Sequence, residues 1–211
     1  RELGGLALAV IPSYRLSAAS IASDIARITE MGVALRLGTR VGRDVSIEEL
    51  RTAGFRTFVI AAGAAAGKKL AIPGEAATGV FDALDFLGRV RDGSPPKLGN
   101  HILVIGGGNS AMDAARTARR LVEDGSVTIV YRRTRAQMPA DAEEVAESLH
   151  EGVVIRDLLA PVEVVVDSAR VAGLRCQRMQ LGEKDASGRP RPVPEDGAFE
   201  TLVDTFKSLN E

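Results

Sequence analysis

Residues 101–121 read HILVIGGGNSAMDAARTARRL, and the run VTIVYRR follows at 127–133. The first run combines an apolar segment, a glycine-rich turn and a stretch with helical spacing, and the second is a further apolar segment that ends in two arginines. A strand, a tight turn, a helix and a second strand in this order predict a βαβ unit of a parallel sheet. Such a unit is typical of nucleotide-binding proteins.

The glycine turn matches G-x-G-x-x-A, the dinucleotide fingerprint with alanine at its last fixed position. In that pattern the first glycine permits a tight turn, the second leaves room for a pyrophosphate beside the backbone, and the alanine lets the helix pack closely on the strand. The alternative is a glycine turn that serves only the local fold. The predicted contact residues are Gly106, Gly107, Gly108, Asn109, Ser110 and Ala111.

The end of the second strand indicates which dinucleotide is preferred. Sites that prefer NAD usually carry Asp or Glu there, which accepts from the ribose hydroxyl. This chain has Arg132 and Arg133 at that point, and Arg135 follows just beyond. A guanidinium binds the 2′-phosphate of NADP in a fork geometry, whereas a carboxylate would repel it. The residues therefore favour NADP(H), with a solvated basic loop as the alternative.

The composition is that of a soluble α/β protein and argues against several other classes. The chain has 211 residues, of which 45% are hydrophobic and 26% charged, and its formal net charge is −1. No basic block indicates a nucleic-acid partner, and no apolar run approaches the ~18 residues of a membrane span. Cys176 is the single cysteine, which excludes an internal disulfide and favours a cytoplasmic setting. Because the first residue is Arg1 rather than methionine, we expect a segment of a longer polypeptide.

Apolar periodicity predicts helices and strands along the rest of the chain. The predicted helices lie at about 17–31, 80–90, 109–123 and 140–150, with a short one opened by a capping box at Ser46–Glu49. The predicted strands lie at 33–37, 57–64, 127–131 and 153–157, with an antiparallel hairpin at 162–166 and 171–181. Residues 182–197 are expected to form a long solvent loop. Strands that alternate with helices and end in a short antiparallel piece predict an α/β fold.

A series of further motifs occurs along the chain in a definite order. The motifs are GGLALAVIPSYRL, MGVALRLGTRVGRDVSIEEL, FVIAAGA, LAIPGE, ALDFL, VIGGGNSAMDAARTA, VTIVYRRTRAQMPA, APVEV and VAGLRCQRMQLGEKDASGRPRPVP. In that order they resemble the small (β) subunit of glutamate synthase, and equally the related flavin modules of dihydropyrimidine dehydrogenase and similar NADPH-dependent oxidoreductases. The resemblance covers nearly the whole chain and is more specific than the glycine turn alone.

The resemblance implies a glutathione-reductase-like fold, in which an NADPH domain is inserted into an FAD domain. It implies that hydride passes from NADPH to FAD and that electrons continue through iron–sulfur clusters to a partner. On this basis residues 1–70 are part of an FAD domain, 71–200 are a Rossmann-like NADPH domain with a β-meander, and 201–211 are a tail that would return to the FAD domain. Arg132 and Arg133 match the 2′-phosphate position of the family.

The chain departs from the family pattern at three points. In the family, the FAD fingerprint and the amino-terminal cysteine clusters precede the position that corresponds to Arg1, so the present sequence does not contain them. The small-residue turn reads Ala61-Ala62-Gly63 where the family usually has Ala-Thr-Gly. The chain ends in TLVDTFKSLNE where the family continues into an Ala-Ile-Gly-Gln turn. We therefore expect FAD in the complete protein but not held firmly by this chain alone.

The sequence shows no evident catalytic acid, base or nucleophile, and no metal site. His101 and His150 lie at the ends of a strand and a helix, and Cys176 reads as an inert core thiol. We expect the NADPH-binding portion of a flavin-dependent oxidoreductase that acts with an electron-accepting subunit or iron–sulfur domain, with oligomerisation left open. One alternative is a truncated, non-catalytic module that binds a nucleotide or a partner. Another is an ordinary Rossmann dehydrogenase, which would need a Tyr/Lys or His group after the fingerprint.

Overall fold

The structure, a computed structural model, describes residues 3–64, 67–184, 186 and 188–203. The chain consists of two compact units, unit 1 (Arg1–Ala66) and unit 2 (Gly67–Glu211). In the described part of both units, no helix combines the length and the apolar character that a membrane crossing requires.

Unit 1 contains helices with well-defined amino-terminal caps. The Ser17 side chain accepts from the Ser20 amide at 3.1 Å and opens the second helix. The predicted capping box is confirmed, because the Glu49 amide donates to the Ser46 hydroxyl while the Ser46 amide donates to the Glu49 carboxylate. The helices among the described residues of unit 1 are α1 (Gly5–Ala9), α2 (Ala18–Glu30) and α3 (Ile47–Thr52).

Two segments of unit 1 that we predicted as strands, 33–37 and 57–64, have no strand structure. Their apolar side chains are present but face solvent, and Val59 and Ile60 are 87% and 91% exposed. A strand is stabilised by hydrogen bonds to a neighbouring strand. The described residues of unit 1 supply only one isolated bridge, from Val41 to Val45. The prediction is wrong for this structure because neither segment has a ladder to join.

Unit 2 contains the parallel sheet that the sequence predicted. Its strands lie in the order β1 (His101–Ile105), β2 (Ser126–Val130) and β3 (Val154–Arg156), and both pairs are parallel, with Ile102 opposite Val127 and Ile129 opposite Ile155. The central strand is almost completely buried at Val127, Ile129 and Val130. The elements are α4 (Ala83–Arg91), β1 (His101–Ile105), α5 (Asn109–Leu121), β2 (Ser126–Val130), α6 (Ala142–His150) and β3 (Val154–Arg156).

An antiparallel meander follows, built from β4 (Leu159–Asp167), β5 (Arg170–Lys184) and β6 (Pro190–Val203). The predicted hairpin of the first two strands is confirmed. The predicted solvent loop at 182–197 is wrong, because much of it belongs to β5 and β6. Pro190, Pro192 and Pro194 favoured a loop in the sequence because proline lacks an N–H to donate to a neighbouring strand. An edge strand such as β6 tolerates prolines where the missing N–H would point away from its neighbour. Residues 204–211 of the predicted tail lie outside the described residues.

The meander packs against the parallel sheet through one apolar cluster. Val130 of the sheet lies with Leu159, Val164, Leu174 and Cys176 of the meander, and all five side chains are buried. A parallel sheet with helices, joined to an antiparallel meander, confirms the predicted α/β class and the Rossmann-like character of this part of the chain.

Candidate dinucleotide site

The glycine turn connects β1 directly to α5, and two of its glycines are required by close packing. Gly106 has φ +142°, in the region that favours glycine, and its amide donates to the Val130 carbonyl at 3.1 Å. A Cβ on Gly106 would lie 3.3 Å from that of Ala111, and a Cβ on Gly107 would lie 2.6 Å from the Tyr131 ring. A side chain on Gly107 would therefore displace the Tyr131 ring, while at Gly106 the positive φ and the near approach of Ala111 both favour glycine.

Gly108 differs from its neighbours because a Cβ there would meet nothing within 4 Å. It is the N-cap residue of α5 and no side chain caps this helix end. The first amides of a helix have no partner within the helix and point outwards, where the helix dipole favours negative charge. The open space at Gly108 and the uncapped helix end together form a cradle that fits the pyrophosphate of a dinucleotide.

Small side chains hold α5 close to the sheet. Ala111, Ala114, Ala115 and Ala118 are all buried and follow one another at helical spacing. Close packing of this kind keeps the start of α5 at the carboxyl end of β1, where ligands of open parallel sheets bind.

Asn109 is predicted to contact the cofactor, and the structure engages its side chain with Asp141. The Asn109 Nδ2 donates to the Asp141 carboxylate at 3.0 Å, and the Asp141 amide donates to the Asn109 Oδ1 at 2.9 Å. The Ala140 amide also donates to the Gly107 carbonyl at 3.0 Å. These bonds join the loop before α6 to the glycine turn. Ser110 is exposed beside it.

The segment after β2 forms a compact loop around Tyr131. The Tyr131 ring is buried beneath Gly107, and its hydroxyl donates to the Gln137 carbonyl at 2.9 Å. The Thr134 hydroxyl donates to the Gln137 side-chain oxygen, and the Arg135 amide donates to the Asp157 carboxylate at 3.1 Å. An open depression of about 440 Å³ lies here, lined by Thr134, Arg135, Ala136, Ile155 and Asp157.

The predicted arginines of this loop have unequal environments. Arg132 and Arg135 are exposed, whereas only 6% of Arg133 is accessible to solvent. The Arg133 Nε donates to the Pro190 carbonyl, at the start of β6, at 2.8 Å. The structure thus brings two guanidinium groups to the solvent side of the loop and packs the third against the meander, which the sequence did not predict.

An ion-pair network joins α5 to α6 behind the site. The buried Arg116 contacts the Glu144 carboxylate at 2.7 Å and the Glu151 carboxylate at 2.6 Å, and Arg120 also contacts Glu151. Burial alone would raise the pKa of Glu151, but hydrogen bonds and charge from Arg120 and Arg116 outweigh it and lower that pKa to about 2. Glu144 pairs with the buried Arg116 and Asp113 is itself buried, so neither is a solvated residue on its helix.

Among the residues that the structure describes, no catalytic group is added to those considered from the sequence. Cys176 is fully buried, and burial is the main cause that raises the pKa of its thiol to about 11, so the predicted position of this thiol in the core is confirmed. The His101 Nδ1 lies 2.8 Å from the Ser126 hydroxyl, which links β1 to β2. Within the described residues, no group of three or more His, Cys, Asp or Glu side chains could hold a metal ion.

The fold and the turn define the class of protein, a Rossmann-like α/β protein with an attached meander. The model of the pyridine nucleotide-disulphide oxidoreductase family matches residues 10–177, and the chain belongs to this family. Among solved structures, the chain is similar to FprA of Mycobacterium tuberculosis in complex with NADPH. The TM-score is 0.75 and the identity 21%, over 94% of this chain and 59% of that one. This likeness confirms the fold.

Curated relatives share more of the sequence. The chain is 40% identical to the NADP(+)-dependent formate dehydrogenase subunit beta of Moorella thermoacetica over 198 residues, which is 92% of this chain and 28% of that protein. It is 36% identical to the glutamate synthase [NADPH] small chain of Halomonas elongata over 211 residues, which is 95% of this chain and 44% of that protein. The chain therefore spans less than half the length of these two relatives.

Proposed function

We propose that unit 2 binds NADPH and that the chain is the NADPH-binding portion of a flavin-dependent oxidoreductase. The observation that carries the proposal is the open cradle at Gly108, which lies at an uncapped helix end. A basic loop at the end of the neighbouring strand β2 completes the set of groups that NADPH requires. The names of both curated relatives, which specify NADP(+) or NADPH, support this reading.

Each part of the site has a separate task in this proposal. The backbone amides at the start of α5 bind the pyrophosphate, and the alanine of the fingerprint keeps helix and strand in contact. Arg132 and Arg135 have the exposure and charge to bind the 2′-phosphate. The proposed cofactor residues remain those predicted from the sequence: Gly106, Gly107, Gly108, Asn109, Ser110, Ala111, Arg132 and Arg135, with Arg133 acting in the same loop.

NADPH, when bound, supplies the hydride that the flavin of a complete oxidoreductase accepts. The described residues of unit 1 do not by themselves make a flavin site. Unit 1 has three described helices and none of its described residues lies in a strand, so the strand–turn–helix that holds a flavin dinucleotide is not made by them. We assign this chain the binding and orientation of NADPH, and no residue of it to the flavin.

A partner that accepts the electrons is part of the proposal. The formate dehydrogenase relative is named as a beta subunit and the glutamate synthase relative as a small chain, so each belongs with at least one further subunit. We propose that the present chain likewise delivers electrons to another subunit or to an iron–sulfur domain of the same assembly.

A titration of the purified chain with NADPH and NADH tests the proposal. We expect wild type to bind NADPH more tightly, and Arg132→Ala to lose roughly tenfold in NADPH affinity with NADH affinity unchanged, because only NADPH carries the 2′-phosphate. Arg170→Ala, at the exposed β4–β5 turn, is the matched control and should behave as wild type. Equal, weak binding of both cofactors by wild type would refute the proposal.

The second candidate is a non-catalytic module that binds the nucleotide or a partner. The strand-free described part of unit 1 favours it, because that part offers no flavin site. The absorbance spectrum of the complete polypeptide, rather than of this chain alone, separates the two candidates. A yellow protein that NADPH bleaches would exclude the non-catalytic module, and a colourless protein that still binds NADPH would support it.

A further inference from the structure

We infer that Arg133 is a positioning residue, which holds the phosphate-selecting loop against the β-meander, and that contact with a 2′-phosphate falls to Arg132 and Arg135. The inference rests on the proposed function, since it assigns roles within the same site. It gives different roles to the adjacent Arg132 and Arg133, for which the sequence pattern predicts the same role.

Burial supplies the first step. Tyr131 and Arg133 are buried and Arg132 between them is exposed, so the side chains alternate between the interior and solvent. Arg133 is therefore directed inwards, and Arg132 lies on the solvent side of the loop, where a cofactor would approach.

The partner of the Arg133 side chain supplies the second step. Its Nε donates to the Pro190 carbonyl at 2.8 Å, and Pro190 begins β6. A guanidinium has no acceptor and its N–H groups are costly to bury without partners. The Pro190 carbonyl therefore accepts a hydrogen bond from the buried Arg133 side chain. This bond attaches the loop to the meander.

The backbone of the same residue supplies the third step. The Leu158 amide donates to the Arg133 carbonyl at 3.2 Å, and the Met179 amide of β5 donates to the Leu158 carbonyl at 2.8 Å. Leu158 has φ +56°, which is unusual for a residue with a branched side chain. Such a conformation persists where its surroundings hold it, and here bonds on both sides do so. Arg133 is thus fastened to the meander through its main chain as well as its side chain.

Two substitutions separate the bond from the charge. Arg133→Gln keeps an N–H donor at the same number of bonds from the backbone as Nε but removes the charge, whereas Arg133→Lys keeps the charge without a donor at that point. The probes are 2′,5′-ADP and 5′-AMP, titrated by calorimetry into the full 211-residue chain. The measured quantity is the ratio of the two affinities.

We expect Arg133→Gln to keep the preference of wild type for 2′,5′-ADP, and Arg133→Lys to lose roughly tenfold of it, because the loop that carries the two exposed arginines shifts. Arg132→Ala should lose a similar factor with Arg133 intact. A loss of the preference in Arg133→Gln overturns the inference, whatever the lysine variant does. Absence of any preference in wild type contradicts the proposed function itself, so the two failures are distinct.

A measurement on the wild-type chain covers the case in which the variants do not fold. The Nε–H resonances of the arginines are followed by two-dimensional NMR while 2′,5′-ADP is added. The Arg133 Nε–H should exchange slowly with water and shift little, whereas those of Arg132 and Arg135 should shift on binding. A shift of Arg133 as large as that of Arg132 would overturn the inference.

Discussion

Strand β2 of unit 2 and the segment 57–64 of unit 1 both contain apolar and β-branched residues, but only β2 forms a buried strand. Ile129 of β2 is completely buried between two parallel neighbours, whereas Ile60 is 91% exposed. The difference shows that an apolar run gains little until a neighbouring strand satisfies its backbone and a helix covers its face. Sequence pattern indicates which segments are able to form strands, and the neighbours decide which of them do.

The sharpest test of this comparison removes the same atoms from both segments. Ile129→Ala should lower the free energy of unfolding by about 2–5 kcal/mol, because it leaves a cavity in a packed core. Ile60→Ala should change it by less than about 0.5 kcal/mol, because the side chain is already in water. Urea unfolding followed by far-ultraviolet circular dichroism measures both. Equal losses would show that 57–64 is packed like β2.

A smaller effect is expected from the glycines of the turn. Gly107→Ala should cost about 1–3 kcal/mol of stability, because its Cβ would lie 2.6 Å from the Tyr131 ring. Gly108→Ala, one residue on, has open space and should leave stability within about 0.5 kcal/mol of wild type. Its new methyl would instead occupy the cradle and weaken NADPH binding. Thermal unfolding and NADPH titration of both variants measure the pair, and a stable Gly107→Ala variant would contradict the close packing.

The smallest effect concerns the ion pairs that connect α5 to α6. Because the pKa of Glu151 is lowered to about 2 from 4.5, its charge stabilises the folded chain above about pH 4.5, and this contribution disappears as the pH falls towards 2. Glu151→Gln should cost roughly 1–2 kcal/mol at pH 7, after allowance for solvent screening of a partly exposed carboxylate. Urea midpoints of wild type and variant, measured between pH 7 and 3, should converge below pH 4.5. A constant difference would argue against the ion pairs.

Local patterns were sufficient to predict the centre of unit 2. The fingerprint, the helix after it and the apolar runs on either side predicted β1, α5 and β2, because each of these signals lies within a few residues of the backbone it controls. The capping box at Ser46–Glu49 was predicted for the same reason. In a capping box the two residues that bond to each other are always three positions apart, so the sequence alone identifies both of them.

Contacts between distant residues were not predictable in this way. The bond from Arg133 to Pro190 spans 57 residues, and the pair Asn109–Asp141 spans 32. The pairing of β6 with β5 was also missed, since its prolines suggest a loop unless the segment is known to lie at a sheet edge. One sequence offers no signal for which distant carbonyl or carboxylate a side chain will reach.

The order of amino acids alone was enough to predict an α/β protein with a dinucleotide turn and a basic loop beside it. Turns, caps and periodicity are local, and their energies depend on neighbours in the chain. Tertiary structure alone decided that segment 57–64 has no strand partner and that the Tyr131 ring leaves no room for a side chain on Gly107. It also decided that Arg132 is exposed while Arg133 is buried. Burial and hydrogen bonding depend on what lies opposite in space, and that is set only when the sheet and the meander have packed together.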